Sequence, residues 1–277
     1  MGGALLGRWL AAGLDPLSVT VIDPAPTGLP SGFLGRVVQD IAGAPTVRGL
    51  GPTLLVLGIK PQALAGLARD LAGAAEDSGP LLLSMLAGVR TAALAQMVPG
   101  ARIVRIMPNL PARIGRGATA MFGMGATDQD RAAADWLLGA TGSAVWLEDE
   151  SRFDAVTGLS GSGPAYLFRF IEALAGAGEA AGLEPETAAR LALETVVGAA
   201  ELAATSTAGP AELRQQVTSP NGTTQAGLDV LDGNGELSAL LRATVRAAAD
   251  RSRTLAAAAE ADAETPASRD ALRVNRP

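Results

Sequence analysis

The sequence predicts an α/β domain with a parallel sheet, followed by an all-α domain. In the first half, short apolar runs alternate with helical patterns; these runs are Ser18–Ile22, Thr53–Leu57, Leu81–Ser84 and Arg102–Ile106. Their nearly continuous apolar character is typical of strands that helices cover on both faces. From about Glu150 to Ala259 the sequence shows long Ala/Leu helical patterns and no convincing strand.

The change of pattern near Trp146 to Ser151 marks the predicted domain boundary. We therefore expect an α/β domain over residues 1–148 and a helical domain over residues 149–261. Residues 262–277 are polar and carry no helix cap, so we expect a disordered tail there.

The composition excludes several kinds of chemistry. The 277 residues include no Cys and no His, which removes thiolate nucleophiles, imidazole bases and ordinary zinc sites. Lys60 is the single lysine. The net charge of −6 and the lack of a basic cluster argue against nucleic-acid binding. Without a long apolar span or a signal-peptide pattern, we expect a cytoplasmic protein that does not enter a membrane.

The first predicted element is a helix over Gly2 to Ala12. In a dinucleotide-binding unit, a strand and a glycine-rich turn come before this helix. The sequence therefore predicts a Rossmann-like domain whose first strand is missing, with Ser18 to Asp23 as its second strand. An acidic residue at the end of that strand commonly binds the ribose hydroxyls, so Asp23 favours NAD over NADP. An Asp before Pro is also a common turn residue, and this alternative stays open.

Other candidate residues follow the later strands. Lys60 comes directly after one apolar run, and Met107 and Asn109 come after another. Ligands bind at the carboxyl ends of the strands in open α/β sheets, which favours a binding role for these residues. The alternative for Lys60 is an ordinary solvent-exposed charge.

A second candidate site lies in the helical half. Ser219, Pro220, Asn221 and Gly222 predict a turn, and Thr223 and Thr224 begin the next helix. Free backbone N–H groups at a helix start suit a small carboxylate substrate. The same residue types also serve as plain helix caps, which is the alternative interpretation.

Four motifs together resemble the pyrroline-5-carboxylate reductase family in both order and spacing. They are VLGIKP (56–61), RIMPNLPA (105–112), GLSGSGPAYLF (158–168) and VTSPNGTTQAGLDVL (217–231). The similarity extends over about Met1 to Leu255. The family pattern opens with a strand and G-x-G-x-M-G, of which only the end is present in Met1-Gly2-Gly3-Ala4. Asn221 also stands where the family usually has Gly.

The resemblance implies an enzyme that reduces 1-pyrroline-5-carboxylate to L-proline with NADPH or NADH. It implies that Thr224 is the catalytic partner of the substrate nitrogen. The substrate-binding residues implied by it are Ser219, Asn221, Gly222, Thr223 and Thr224. The implied cofactor-binding residues are Ile59, Lys60, Ala87, Met107 and Asn109; the position of the first helix and of the second strand adds Gly2 and Asp23 to them, and no metal is implied. It further implies a homodimer formed by the helical domains, and decamers as pentamers of dimers.

Two other functions remain open at this point. Dehydrogenases of the β-hydroxyacid or 6-phosphogluconate type also join a Rossmann domain to a helical one, but they use a lysine at the start of the helical half, and this half has none. A degenerate paralogue that only oligomerises is the non-enzyme alternative. Coding DNA upstream of Met1 would discriminate, because an in-frame strand and Gly-x-Gly-x would favour a complete enzyme.

Overall fold

The computed structural model describes residues 1–43, 53–75 and 79–263. These residues form two compact units. The first contains Met1–Gly161 and the residues from Ala247 onward, and the second is Ser162–Arg246. The predicted domain limits of 1–148 and 149–261 stay a prediction, and the tail predicted over 262–277 lies outside the described residues from 264 on.

The described residues of the first unit contain seven strands, which form two separate sheets. A two-stranded parallel sheet contains β1 (Thr20–Ile22) and β2 (Arg36–Val38). A five-stranded sheet has the order β3-β4-β5-β6-β7. Its strands are β3 (Leu54–Leu57), β4 (Leu81–Ser84), β5 (Arg102–Met107), β6 (Gly117–Met124) and β7 (Gly142–Trp146).

The α/β prediction is confirmed, with one difference in the sheet. Every pair of neighbouring strands is parallel except β5 and β6, which are antiparallel. In a doubly wound sheet of order 3-2-1-4-5-6, the strand before the first helix lies between the strands that correspond to β1 and β3. No strand precedes the first helix among the described residues, which accounts for two sheets in place of one.

Helices cover the five-stranded sheet on both faces. Those of the first unit are α1 (Gly2–Ala11), α2 (Leu64–Ala75), α3 (Thr91–Met97), α4 (Asp128–Gly139) and α5 (Phe153–Val156). Leu81 and Leu83 pack in one core with residues of α1 and α4. Leu82, which points to the opposite face, packs in a second core with residues of α2 and α3. This alternation explains why β4 is fully buried and reads as one apolar run.

The second unit is helical, as the sequence predicts. It contains α6 (Gly163–Ala180), α7 (Pro185–Thr205), α8 (Pro210–Gln216) and α9 (Thr223–Asp232), and α10 (Glu236–Ala263) begins in it. Several of these helices start with Pro in the first turn, where its missing N–H leaves no hydrogen bond unmade.

A polar cluster fixes the start of α4 to the sheet. Thr127 and Asp130 form a reciprocal capping box, and Arg102 Nε lies 2.7 Å from Asp130 Oδ2. Burial alone would raise the pKa of the Asp130 carboxyl, but hydrogen bonds from Arg102 and Thr127 outweigh it and lower the pKa to about 2. Asp130 therefore stays ionised and paired at neutral pH.

Replacing Thr119 with valine is expected to raise the free energy of unfolding by about 1 kcal/mol. Thr119 in β6 is 3% exposed. Its hydroxyl is the buried side-chain polar atom that lacks a hydrogen-bond partner in the part of the chain described. Valine keeps the shape and removes the unsatisfied group. Urea denaturation followed by circular dichroism measures the change.

Thr141→Val is the matched control for this change. Thr141 is 0% exposed, but its hydroxyl donates to the Leu138 carbonyl at 2.7 Å. We expect this variant to have a free energy of unfolding about 1 kcal/mol lower than that of the unchanged protein, because the substitution removes an existing hydrogen bond. If Thr119→Val lowered the free energy of unfolding as much as Thr141→Val does, the Thr119 hydroxyl would have to be hydrogen-bonded in solution.

Candidate functional site

The carboxyl ends of β3, β4 and β5 lie side by side in the first unit. Leu57 is paired with Ser84, and Ser84 with Arg105, so the loops that follow these strands leave the sheet at one edge. Five predicted cofactor residues are therefore brought to the same edge: Ile59, Lys60, Ala87, Met107 and Asn109. Lys60 and Ala87 are exposed there.

The start of α1 reaches the same edge. A side chain at Gly58, directly after β3, would begin 3.8 Å from the Cα of Gly2. Met1 precedes the helix and gives it no side-chain cap. The first amides of α1 thus have no acceptor within the helix, and an anion can bind them. Gly3 packs against the backbone of Gly28, whose carbonyl oxygen is 2.2 Å from the place of a Cβ.

Asp23 lies at the end of β1 and forms a turn. Its backbone N–H donates to the Val38 carbonyl at 3.0 Å. Its Oδ1 accepts a hydrogen bond from the Ala25 N–H at 2.9 Å. Asp23 is therefore a turn residue. Its Oδ2 has no hydrogen bond to the described residues, and a contact with the ribose stays a prediction.

Asn109 is buried and its side chain is held by the first unit itself. Oδ1 accepts from the Ala118 N–H at 2.9 Å, and Nδ2 donates to the Ser160 carbonyl at 3.0 Å. The amide thus ties the end of β5 to β6 and to the motif that begins at Gly158. Asn109 lies after β5, as the sequence predicts, whereas these two contacts depend on the fold.

The GLSGSG motif overlaps a π-helical turn, Thr157–Gly161. The Ser160 hydroxyl donates to the Val156 carbonyl at 3.2 Å. A Cβ at Gly161 would lie 3.1 Å from the Met107 Cε, so only glycine lets Met107 occupy its position without a shift. Turns of the π type are frequent at functional sites, and this one abuts a predicted cofactor residue.

The predicted substrate turn is present in the second unit. The Gly222 N–H donates to the Ser219 carbonyl at 3.0 Å and closes the turn. Asn221 has φ 58, and it is the non-glycine residue with positive φ in the described chain. Asn adopts this left-handed conformation more readily than most residues, which explains how it replaces the family's usual Gly.

Helix α9 begins directly after this turn, at Thr223. Gly222 is its N-cap and provides no side-chain hydrogen bond, and the first turn carries no acidic residue. The amides of Thr223 and Thr224 therefore stay available to a carboxylate. Both threonines are exposed, and no hydrogen bond within the described residues involves the Thr224 hydroxyl. The sequence prediction thus brings Ser219, Asn221, Gly222, Thr223 and Thr224 together.

One polar cluster escaped the sequence reasoning. Arg105 of β5 and Glu150 form an ion pair of 2.9 Å between Nη1 and Oε1. The Glu150 carboxylate also accepts hydrogen bonds from the Thr91 N–H and hydroxyl. The signal in the sequence was an arginine inside the apolar strand RIVRIM.

The described residues contain no group of three acidic, His or Cys side chains that could hold a metal ion. Of the helices described, none is long and apolar enough to cross a membrane.

The sequence is similar to known pyrroline-5-carboxylate reductases. Residues 150–255 match the family model for pyrroline-5-carboxylate reductase dimerisation. A pyrroline-5-carboxylate reductase of Pseudomonas aeruginosa is 39% identical over 261 residues, which cover 92% of this chain and 93% of that protein. The Synechocystis enzyme of the same name is 45% identical over 203 residues, covering 73% of this chain and 74% of the relative.

Solved structures agree with these relatives. The pyrroline-5-carboxylate reductase of Coxiella burnetii superposes with a TM-score of 0.83 at 32% identity, covering 92% of this chain and 94% of that one. The Plasmodium falciparum pyrroline carboxylate reductase, solved with NADP bound, has a TM-score of 0.77 at 24% identity over 92% of this chain and 94% of that one, and it shares the fold.

Proposed function

The chain belongs to the pyrroline-5-carboxylate reductase family, and from this membership we propose that it reduces 1-pyrroline-5-carboxylate to L-proline with NADPH or NADH. The observation that carries the proposal in the structure is the turn at Ser219–Gly222 and the uncapped start of α9. Such a turn suits the carboxylate that substrate and product share.

When bound, the nicotinamide would supply the hydride that reduces the imine carbon, and the ring nitrogen would gain a proton. The chain's own residues bind and orient the substrate. The amides of Gly222, Thr223 and Thr224 hold the carboxylate, with Ser219 and Asn221 shaping the turn. The Thr224 hydroxyl donates a hydrogen bond to the ring nitrogen and relays to it a proton from solvent water, which reaches this exposed side chain. No lysine, histidine or cysteine is needed for these steps.

The edge of the first unit fits a dinucleotide. The uncapped amides at Gly2 suit the pyrophosphate, and the absence of side chains at Gly2 and Gly58 permits close approach of the backbone. Ile59, Lys60, Ala87 and Met107 line the same edge. Asp23 binds the adenosine ribose through its remaining carboxylate oxygen. Asn109 holds the end of β5 beside this site.

The helical unit supports self-association. The family match over residues 150–255 is to a dimerisation domain, so the chain forms a homo-oligomer. Large apolar side chains of α6 and α7 are exposed, among them Phe168 at 53%, Leu191 at 53% and Val197 at 49%. A homodimer that buries these side chains would remove their apolar surface from water. Five such dimers assemble into a decamer, and the protein acts in the cytoplasm.

An assay of cofactor oxidation tests the function. Purified chain is mixed with 1-pyrroline-5-carboxylate and NADH or NADPH, and the loss of nicotinamide absorbance is followed while proline is identified by mass spectrometry. We expect stoichiometric oxidation and proline formation. A folded, self-associated chain that forms no proline with either cofactor would favour the paralogue that only oligomerises.

Asp23→Ser is expected to shift the preference towards NADPH. The carboxylate of Asp23 would repel a 2′-phosphate, whereas serine removes the charge and keeps a short polar group that can accept from Ala25. We expect the ratio of kcat/KM for NADPH over NADH to rise on the order of tenfold, which corresponds to ~1.4 kcal/mol. An unchanged ratio in the same assay would leave Asp23 with its turn role alone.

A further inference from the structure

The loop between β4 and α3 holds Ala87 at the proposed cofactor edge. Leu86 and Val89, on either side of its tip, are buried in the core at 2% and 8% exposure. Gly88 has φ +76, and a Cβ there would lie 3.0 Å from the Cα of Ala256. Ala87 alone stays exposed between these fixed positions.

The far end of this loop depends on a residue from another part of the chain. Helix α3 starts at Thr91, and its N-cap Arg90 provides no side-chain hydrogen bond to it. Glu150, which lies 59 residues later in the chain, accepts two hydrogen bonds from Thr91. Its Oε1 accepts from the Thr91 N–H at 2.9 Å, and its Oε2 accepts from the Thr91 hydroxyl at 2.7 Å.

Arg105 makes this arrangement possible. The side chains of Arg105 and Glu150 are only 10% and 17% exposed, and their charges are paired at 2.9 Å. The Arg105 guanidinium also stacks 4.3 Å from the centre of the Phe153 ring. Because Arg105 lies in β5 two residues before Met107, the cluster connects two of the loops that border the cofactor edge.

We propose that Glu150 is a positioning residue for the nicotinamide cofactor: its carboxylate, paired with Arg105 and bonded twice to Thr91, fixes the β4–α3 loop so that Ala87 meets the bound dinucleotide. The proposal rests on the proposed function. Glu150 touches neither cofactor nor substrate in this role. It acts through Thr91, and its loss should weaken cofactor binding more than it slows hydride transfer.

Glu150→Gln is the first variant. The amide keeps the size of the side chain, but its NH2 group cannot accept a hydrogen bond, and Arg105 loses its counter-charge. We expect the KM and the dissociation constant for NADH and NADPH to rise on the order of tenfold, which corresponds to ~1.4 kcal/mol. The kcat at saturating cofactor should stay within about twofold.

Glu148→Gln is the matched control. Glu148 precedes Glu150 by two residues and is exposed. It has no hydrogen bond or ion pair to any residue in the described ranges. The substitution makes the same chemical change as Glu150→Gln. We therefore expect the KM and the dissociation constant for NADH and NADPH to equal those of the unchanged protein.

Thr91 provides a second test if Glu150→Gln fails to fold. Thr91→Ser keeps the hydroxyl and should retain the cofactor KM. Thr91→Val keeps the shape and removes the hydroxyl, and it should raise that KM several-fold, on the scale of one lost hydrogen bond to a charged group. The contrast between the two separates the hydrogen bond from packing.

The proposal is overturned if Glu150→Gln or Thr91→Val lowers the melting temperature and leaves the cofactor KM and dissociation constant within twofold. Titration of the unchanged protein and of each variant with NADH, read by fluorescence, is made alongside the turnover assay. If the unchanged protein forms no proline, the proposed reaction fails, while the titration still decides whether Glu150 positions the dinucleotide.

Discussion

Thr224→Val is expected to lower the kcat for pyrroline-5-carboxylate about 30- to 150-fold, the equivalent of ~2–3 kcal/mol of transition-state stabilisation. Valine has the shape of threonine and lacks its hydroxyl. A hydrogen bond to the ring nitrogen strengthens as that atom gains its proton, so its removal lowers kcat more than it raises the substrate KM.

The fold should not suffer from this change. Thr224 is exposed in the first turn of α9, and its hydroxyl bonds to none of the residues that the structure describes. Its backbone amide remains to bind the carboxylate. Thr205→Val is the matched control, because Thr205 is also an exposed helix threonine and its hydroxyl donates only within its own helix, α7. Equal kcat values for the two variants would remove Thr224 from the reaction.

The strands that the sequence predicts best are those with the simplest environment. The apolar run Leu81–Ser84 has the same bounds as β4, because a strand buried on both faces has an uninterrupted apolar sequence. The strand predicted from Ser18 begins at Thr20, since Asp15 accepts from the Leu17 N–H and Pro16–Ser18 forms a 3-10 turn. A local hydrogen bond thus outweighed the β propensity of the run.

The strands missed in the sequence have mixed patterns. Strand β2 reads RVV and β7 reads GSAVW, so each begins with a charge or a glycine and contains only two or three apolar residues. Strand β6 reads GATAMFGM and pairs antiparallel with β5, a direction that depends on the loop at Leu110–Ile114 and on packing, which no local pattern encodes. Short strands of this kind are stabilised by their neighbours in the sheet.

Some residues of the candidate site have a signal in the local sequence, and others do not. Lys60, Met107 and Asn109 could be placed together from sequence because the carboxyl ends of parallel strands share one edge, whereas Ala87 was implied only by the family resemblance. The turn before Thr224 has its own local signal in Ser219-Pro220-Asn221-Gly222. Glu150 has no such signal, since its partners Arg105 and Thr91 are 45 and 59 residues away in the chain. Contacts of that kind become visible only once the fold is known.

Gly3→Ala is expected to weaken dinucleotide binding about 5- to 150-fold, on the scale of the ~1–3 kcal/mol that overpacking costs. The new Cβ would lie 2.2 Å from the Gly28 carbonyl oxygen and 3.3 Å from its carbon. Both are backbone atoms, so either α1 or the loop at Gly28 must move. Gly3 lies in the first turn of α1, where the pyrophosphate is proposed to bind, and a displaced helix start misdirects its amides.

Gly7→Ala separates this clash from the general effect of adding a methyl group to α1. A Cβ at Gly7 would lie 3.6 Å from the Pro30 Cγ, an ordinary contact. Alanine is also the better helix former, by about 1 kcal/mol in a helix interior. Calorimetric titration with NADH and NADPH should therefore find Gly7→Ala unchanged and Gly3→Ala impaired. If both variants bind as tightly as the unchanged protein, the start of α1 tolerates displacement and cannot be the place where the pyrophosphate is held.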